Sequence, residues 1–247
     1  MKEILKYSCL IFLYALSHSY LATCFAIDLK IKGYEERYIG LSLSFWGIGV
    51  ILGALLHNLI RKKLNLISTI LYVSLIQFTF SLIFLFDQNT FLVALMQFVM
   101  GITSAINSLT LESYISSKFK KSSGFYISLF WSSAGLGAIT GSLFIAINGI
   151  NNLTYYIAVL FFLMHFIPIY LFRSSISKIA IENLSLRLSK NVLSKIKYLL
   201  FCVILFGVCD AGFSSLFPSY LLEESYSDKQ VGRINFLAGL ILSLIHI

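Results

Sequence analysis

Tyr34-Glu35-Glu36-Arg37-Tyr38-Ile39-Gly40 leads directly into a long apolar run, and so does Tyr226-Ser227-Asp228-Lys229-Gln230-Val231-Gly232. Both read Tyr, four mostly polar residues, a β-branched residue and Gly. The copies lie 192 residues apart, and the same offset carries Lys6, where the first apolar run begins, onto Tyr198, where the seventh begins. A repeat at fixed offset sets the architecture before any single motif does. Here it implies two similar units. An even number of crossings separates them, so they run in the same direction, one of the known plans for membrane transporters.

The apolar runs that flank these copies are long enough to span a bilayer, which takes about 20 mostly apolar residues. Seven segments qualify: Leu5–Ile27, Tyr38–Ile60, Leu64–Phe86, Thr90–Ser113, Gly124–Ile147, Leu153–Phe172 and Tyr198–Tyr220. An eighth begins near Val231. The chain is 58% hydrophobic and only 12% charged over 247 residues, whereas a soluble domain carries about 25% charged residues. The expected fold is therefore an all-α, multi-pass membrane protein. Its organisation is a six-span unit over 1–172, a basic linker over 173–197, and the first one to two helices of a second unit over 198–247.

Charge gives the orientation. With the N-terminus inside, the inner segments hold Lys2, Lys6, Arg61, Lys62, Lys63, Lys118, Lys120, Lys121 and the six basic residues of the linker. The outer side holds only Lys30, Lys32, Arg37, Lys229 and Arg233. Basic residues stay cytoplasmic, which places the N-terminus in the cytoplasm and the chain in the inner, plasma membrane. The net charge of +8 is thus a matter of topology and of attraction to anionic lipid, and nucleic acid is not an expected partner. The four cysteines, Cys9, Cys24, Cys202 and Cys209, fall in apolar segments without metal-ligand spacing and read as packing residues. No phosphate-binding loop, zinc-ligand set or nucleophile elbow occurs. Neither enzyme activity nor a cofactor is expected.

Six spans, a basic inner linker and a restart resemble the major facilitator superfamily, whose twelve spans form two six-span halves around a central cavity. Its signature between spans two and three, G-x-L-x-D-R-x-G-R-K, has a counterpart in Gly53-Ala54-Leu55-Leu56-His57-Asn58-Leu59-Ile60-Arg61-Lys62. The first Gly, the Leu and the closing Arg-Lys match. His57, Asn58 and Ile60 replace the Asp, the first Arg and the second Gly, which puts the usual gating salt bridge in doubt. Leu111-Glu112-Ser113 with the Gly124–Gly141 segment, and Gly207 through Leu221, are similar to the YcaD-like branch. The resemblance implies a chain cut short of its last four spans. The closing Leu242-Ser243-Leu244-Ile245-His246-Ile247 also resembles a sequencing adapter read in frame, so a non-native end is expected.

Ionisable groups within spans are costly and mark function by default. Asp210 lies 12 residues after Tyr198, about 18 Å along a helix and near mid-membrane. It either faces a pathway or is a hydrogen-bonded structural residue. The repeat offset carries Asp210 onto His18, also mid-span, and in facilitators spans one and seven both line the cavity. The pair could therefore face each other and carry protons. For His18 the competing reading is local satisfaction by helix carbonyls or water. Gln77, Gln97 and Asn107 are candidates for solute contact or interhelix bonds. Glu112 with Arg61 and Lys62 is expected to form a structural or gating ion pair at the inner end. Gly49, Gly53, Gly137 and Gly141 are expected to be close-packing faces, on spans that in facilitators meet the other half. No residues are expected to bind metal.

The expected function is secondary active transport of a small solute by alternating access, proton-coupled, by a monomer in the lipid bilayer. The rival readings are a non-transporting membrane sensor or assembly protein, and an inert truncated fragment.

Overall fold

The computed structural model describes residues 2–85, 89–151, 153–172 and 216–245. The helices are α1 (Lys2–Ile31), α2 (Glu36–Lys63), α3 (Leu66–Ile83), α4 (Thr90–Lys118), α5 (Ser123–Asn148), α6 (Thr154–Met164) and α7 (Phe166–Phe172), with a 3-10 turn, Lys120–Ser122, before α5. Beyond them come a helical stretch at 216–223, α8, and α9 (Asp228–Ile245). The described residues contain no strand. This is what a bilayer dictates, because a segment in hydrocarbon must satisfy its backbone hydrogen bonds internally. Among the described residues six helices are long and apolar enough to cross a membrane: α1 to α5, and α6 with α7 as one span. The chain is an all-α, multi-pass membrane protein. The linker 173–197, most of the seventh expected span, and with it Asp210, Cys202 and Cys209, lie outside the described residues.

The helix ends have local causes. Asn65 and Asn89 cap α3 and α4, their side-chain oxygens accepting from Ser68 N at 2.8 Å and Leu92 N at 2.9 Å, the usual answer to the orphan N–H groups of a first turn. The sixth span breaks at His165. Pro168 has no N–H to give the Met164 carbonyl, so the ladder fails there. Helix α9 starts at Asp228, three residues before the apolar run near Val231. There the Gln230 side-chain oxygen accepts from Ser227 N at 2.8 Å, while Gln230 N reaches back to Ser227 Oγ at 3.4 Å. This is a capping box.

The turns after α1 and α8 have the same build. Gly33 at φ 85° and Ser225 at φ 67° are both left-handed. Tyr34 N bonds Leu29 O and Gly33 N bonds Lys30 O; Tyr226 N bonds Leu221 O and Ser225 N bonds Leu222 O. Each is a Schellman motif, and every one of these atoms matches its counterpart at an offset of 192 residues.

Close packing runs through glycine. A Cβ built at Gly49 would sit 2.1 Å from the Phe98 carbonyl oxygen, one at Gly53 2.4 Å from that of Ile102, and one at Gly101 2.1 Å from that of Trp46. These seat α2 on α4. Cβ atoms at Gly137 and Gly141 would fall 2.2 and 2.8 Å from the Phe12 and Leu16 carbonyl oxygens, which seats α5 on α1. Gly232 of α9 meets the backbone of Ala146 on α5 in the same way. At that end the Asp228 carboxylate accepts from Ile150 N at 2.6 Å. Lys30, at the end of α1, pairs with Glu36 and, at 3.7 Å, with Glu223 of α8. The four glycines read from sequence as close-packing faces thus contact helices of the same six-span unit.

Gly49→Ala and Gly137→Ala should each lower stability by about 1–3 kcal/mol through overpacking, as read by thermal unfolding in detergent. Gly47→Ala, where a Cβ meets nothing within 4 Å, is the control and should leave the midpoint unlowered, or raise it slightly through helix propensity.

Candidate functional site

A layer of polar side chains crosses the six-span unit at mid-helix depth. On α1 it holds Tyr14, Ser17 and His18, on α2 Trp46, on α3 Gln77, and on α4 Thr103, Ser104 and Asn107. His165 joins it from the break between α6 and α7.

His18 is partly exposed as a residue, but its Nε2 is buried without a hydrogen-bond partner. Its ring stacks on Tyr14, one helical turn away, at 6.1 Å and 15°, and tilts against Trp46 at 5.4 Å. The Trp46 Nε1 and Tyr14 hydroxyl are likewise buried without partners. The Tyr14 hydroxyl faces Ser104 and Gln77. Gln77 donates from Nε2 to Thr103 Oγ1 at 3.0 Å, while its Oε1 and the Asn107 Oδ1 stay buried and unpartnered. Thr103 donates in turn to the Val99 carbonyl at 2.9 Å. His165 is settled differently. Its Nε2 lies 3.0 Å from Ser17 Oγ, and that hydroxyl donates to Leu13 O at 2.8 Å. With the serine proton so committed, the histidine donates, which places its proton on Nε2.

The layer thus brings together His18 and Gln77, both read from sequence, through Tyr14, and it sets Asn107 beside them on α4. Gln97 is buried on the same helix, about 15 Å from Asn107 towards the start of the helix. Tyr14, Trp46 and Ser104 were not legible as site residues. In a chain with 22 Phe, 14 Tyr and many serines nothing local distinguishes them, although the i, i+4 spacing of Tyr14 and His18 puts both on one helix face. Asp210 lies outside the described residues.

Towards the other end of α4, Glu112 accepts from Trp131 Nε1 at 2.6 Å, a partner on α5. Arg61 and Lys62 lie in the last turn of α2. His57, which stands at the place of the signature Asp, is buried with its Nε2 unpartnered. Cys24 is buried and Cys9 exposed, both as free thiols. Among the described residues no group of three or more His, Cys, Asp or Glu side chains could hold a metal ion.

An unpartnered polar group in hydrocarbon costs several kcal/mol, so groups of this kind face protein or a watered path rather than lipid. Helices of this length and apolarity define a multi-pass integral membrane protein. The chain belongs to the Major Facilitator Superfamily, whose model it matches over residues 7–247. It is therefore a secondary transporter by family, with a small-molecule solute as its cargo class. No curated protein matches the chain.

The Gln77–Thr103 bond is an interhelix contact of the ordinary membrane type. A double-mutant cycle with Gln77→Leu and Thr103→Val should return a coupling of about 0.6 kcal/mol, measured by denaturant titration in mixed micelles. A coupling of zero would show that the bond adds nothing to stability.

Proposed function

We propose that the chain carries a small solute across the plasma membrane by alternating access, driven by protons, as a monomer with its N-terminus in the cytoplasm. The observation that carries this reading is the buried group of unpartnered atoms on α1 and α2 at mid-membrane depth: His18 Nε2, Tyr14 Oη and Trp46 Nε1. Such atoms have lost their water and gained no protein partner, an arrangement that favours a passing ligand or proton. His18 is the member of the group whose imidazole can take up and release a proton. The repeat offset of 192 carries His18 onto Asp210, whose carboxylate is the second group of the relay. The basic residues of the inner segments support the orientation. Arg61, Lys62 and Glu112, at the inner ends of α2 and α4, serve the gate on that side.

The test uses the full chain in proteoliposomes with an acid-outside gradient, screened against a panel of labelled solutes. For the solute that accumulates, His18→Ala and Asp210→Asn should each reduce gradient-driven accumulation to the level of protein-free vesicles. Exchange of internal for external solute, which needs no net proton movement, should persist in at least one of them. Full accumulation in both variants would remove the proton relay from the reading.

A further inference from the structure

A cavity of about 480 Å³ opens where α1 and α3 end and α6 begins. It is about 15 Å along α1 from His18, since Asp28 is ten positions further on, and it belongs to no part of the polar layer. Asp28, Phe84, Tyr155 and Tyr156 are among the residues that line it.

The side chain of Asp28 is only 14% exposed. A carboxylate buried to that degree needs a counter-charge to offset lost hydration. Lys32, one turn on, supplies an ammonium 2.9 Å from Oδ2, yet Oδ2 receives no hydrogen bond of good geometry. The buried Tyr155 hydroxyl lies within reach of Asp28, short of a hydrogen bond of good geometry. The carboxylate is thus charge-balanced by a flexible side chain of its own helix, with directed bonding capacity left over. Three of the lining residues, Phe84, Tyr155 and Tyr156, are aromatic, and aromatic rings attract cations, alkylated ammonium groups in particular. A bare metal ion is a poorer fit, because hard cations want six or more oxygens and Asp28 is the one carboxylate among the lining residues.

We propose that this pocket binds an organic ammonium ion, with Asp28 as its counter-ion and the Lys32 ammonium as the internal group it displaces. The volume lies within the range of small-molecule sites. The mouth is flanked by Ile31 and Tyr156, both about 60% exposed, so a soluble amine and the ammonium headgroup of a lipid can both reach it.

The test places the full chain in phosphatidylglycerol nanodiscs and measures labelled choline binding by scintillation proximity. Binding should be saturable and displaced by tetramethylammonium, but not by 3,3-dimethylbutanol, the uncharged isostere of choline. Asp28→Asn should weaken it about tenfold or more, the scale of one lost charge contact, and Tyr155→Phe should weaken it less. Lys32→Gln should tighten it several-fold, since the internal competitor is gone. That gain is a result a merely structural ion pair would not give. If phosphatidylcholine in the discs suppresses the labelled signal, the lipid headgroup is the occupant; if the signal persists, the free amine is, and either result keeps the site. Absence of saturable binding, equal displacement by dimethylbutanol, or wild-type affinity in Asp28→Asn overturns the proposal. Unchanged affinity in Lys32→Gln overturns the role given to Lys32.

Discussion

Lipid tails are as apolar as leucine, so helices in a bilayer gain little by hiding leucines from it. What they can gain is contact, and contact is richest where two backbones approach without side chains between them. That is the arrangement at Gly49, Gly53 and Gly101 between α2 and α4, and at Gly137 and Gly141 between α5 and α1. The two helix pairs made in this way form the frame of the six-span unit. The apolar clusters at its two ends, one around Phe25, Phe84 and Phe162 and the other around Tyr7, Tyr114 and Phe130, fill the space that these pairs leave.

A frame held by backbone contact leaves side chains of the central helices free for other uses. Tyr14 and His18 lie on the side of α1 that meets α2 and α4, while Phe12, Leu16 and Tyr20 take the packing against α5. One helix therefore divides its circumference between structure and chemistry. Ser17 and His165 show the structural half of that bargain, each satisfied by the other and by the Leu13 carbonyl. His18 shows the chemical half, with a ring held by two aromatic neighbours and a nitrogen that bonds to nothing.

Hydropathy made the spans legible because the bilayer imposes one length scale on every crossing. It could not place the ends, which depend on single residues. The start of α9 is set by the reciprocal bonds of Ser227 and Gln230, and α1 runs on past its apolar limit to carry Asp28 and Lys30 within regular helix. The break at His165 is a backbone consequence of Pro168 and can be read from the chain once Pro168 is seen to lie inside a span. His18, Gln77 and Asn107 were findable because a polar residue in an apolar run stands out. Trp46 and Tyr14 were not, since aromatic residues are common throughout the chain and only the fold decides which of them meet a histidine. Glu112 was read with basic partners from its depth alone. Its bond to Trp131 comes from the facing of α4 and α5, which spacing along one chain does not encode.

The paired turns at Gly33 and Ser225 bear on how the chain came to be. Two segments that close with the same bonds at the same offset have kept a backbone path while their side chains drifted apart. Glycine takes the left-handed conformation freely, whereas serine gives up roughly 1 kcal/mol to hold it. The second turn keeps the shape despite that strain, so the shape is what the surrounding contacts specify, and the residue is secondary. Duplicated architecture of this kind ages from the side chains inward, and the last thing to be lost is the direction in which the chain turns back.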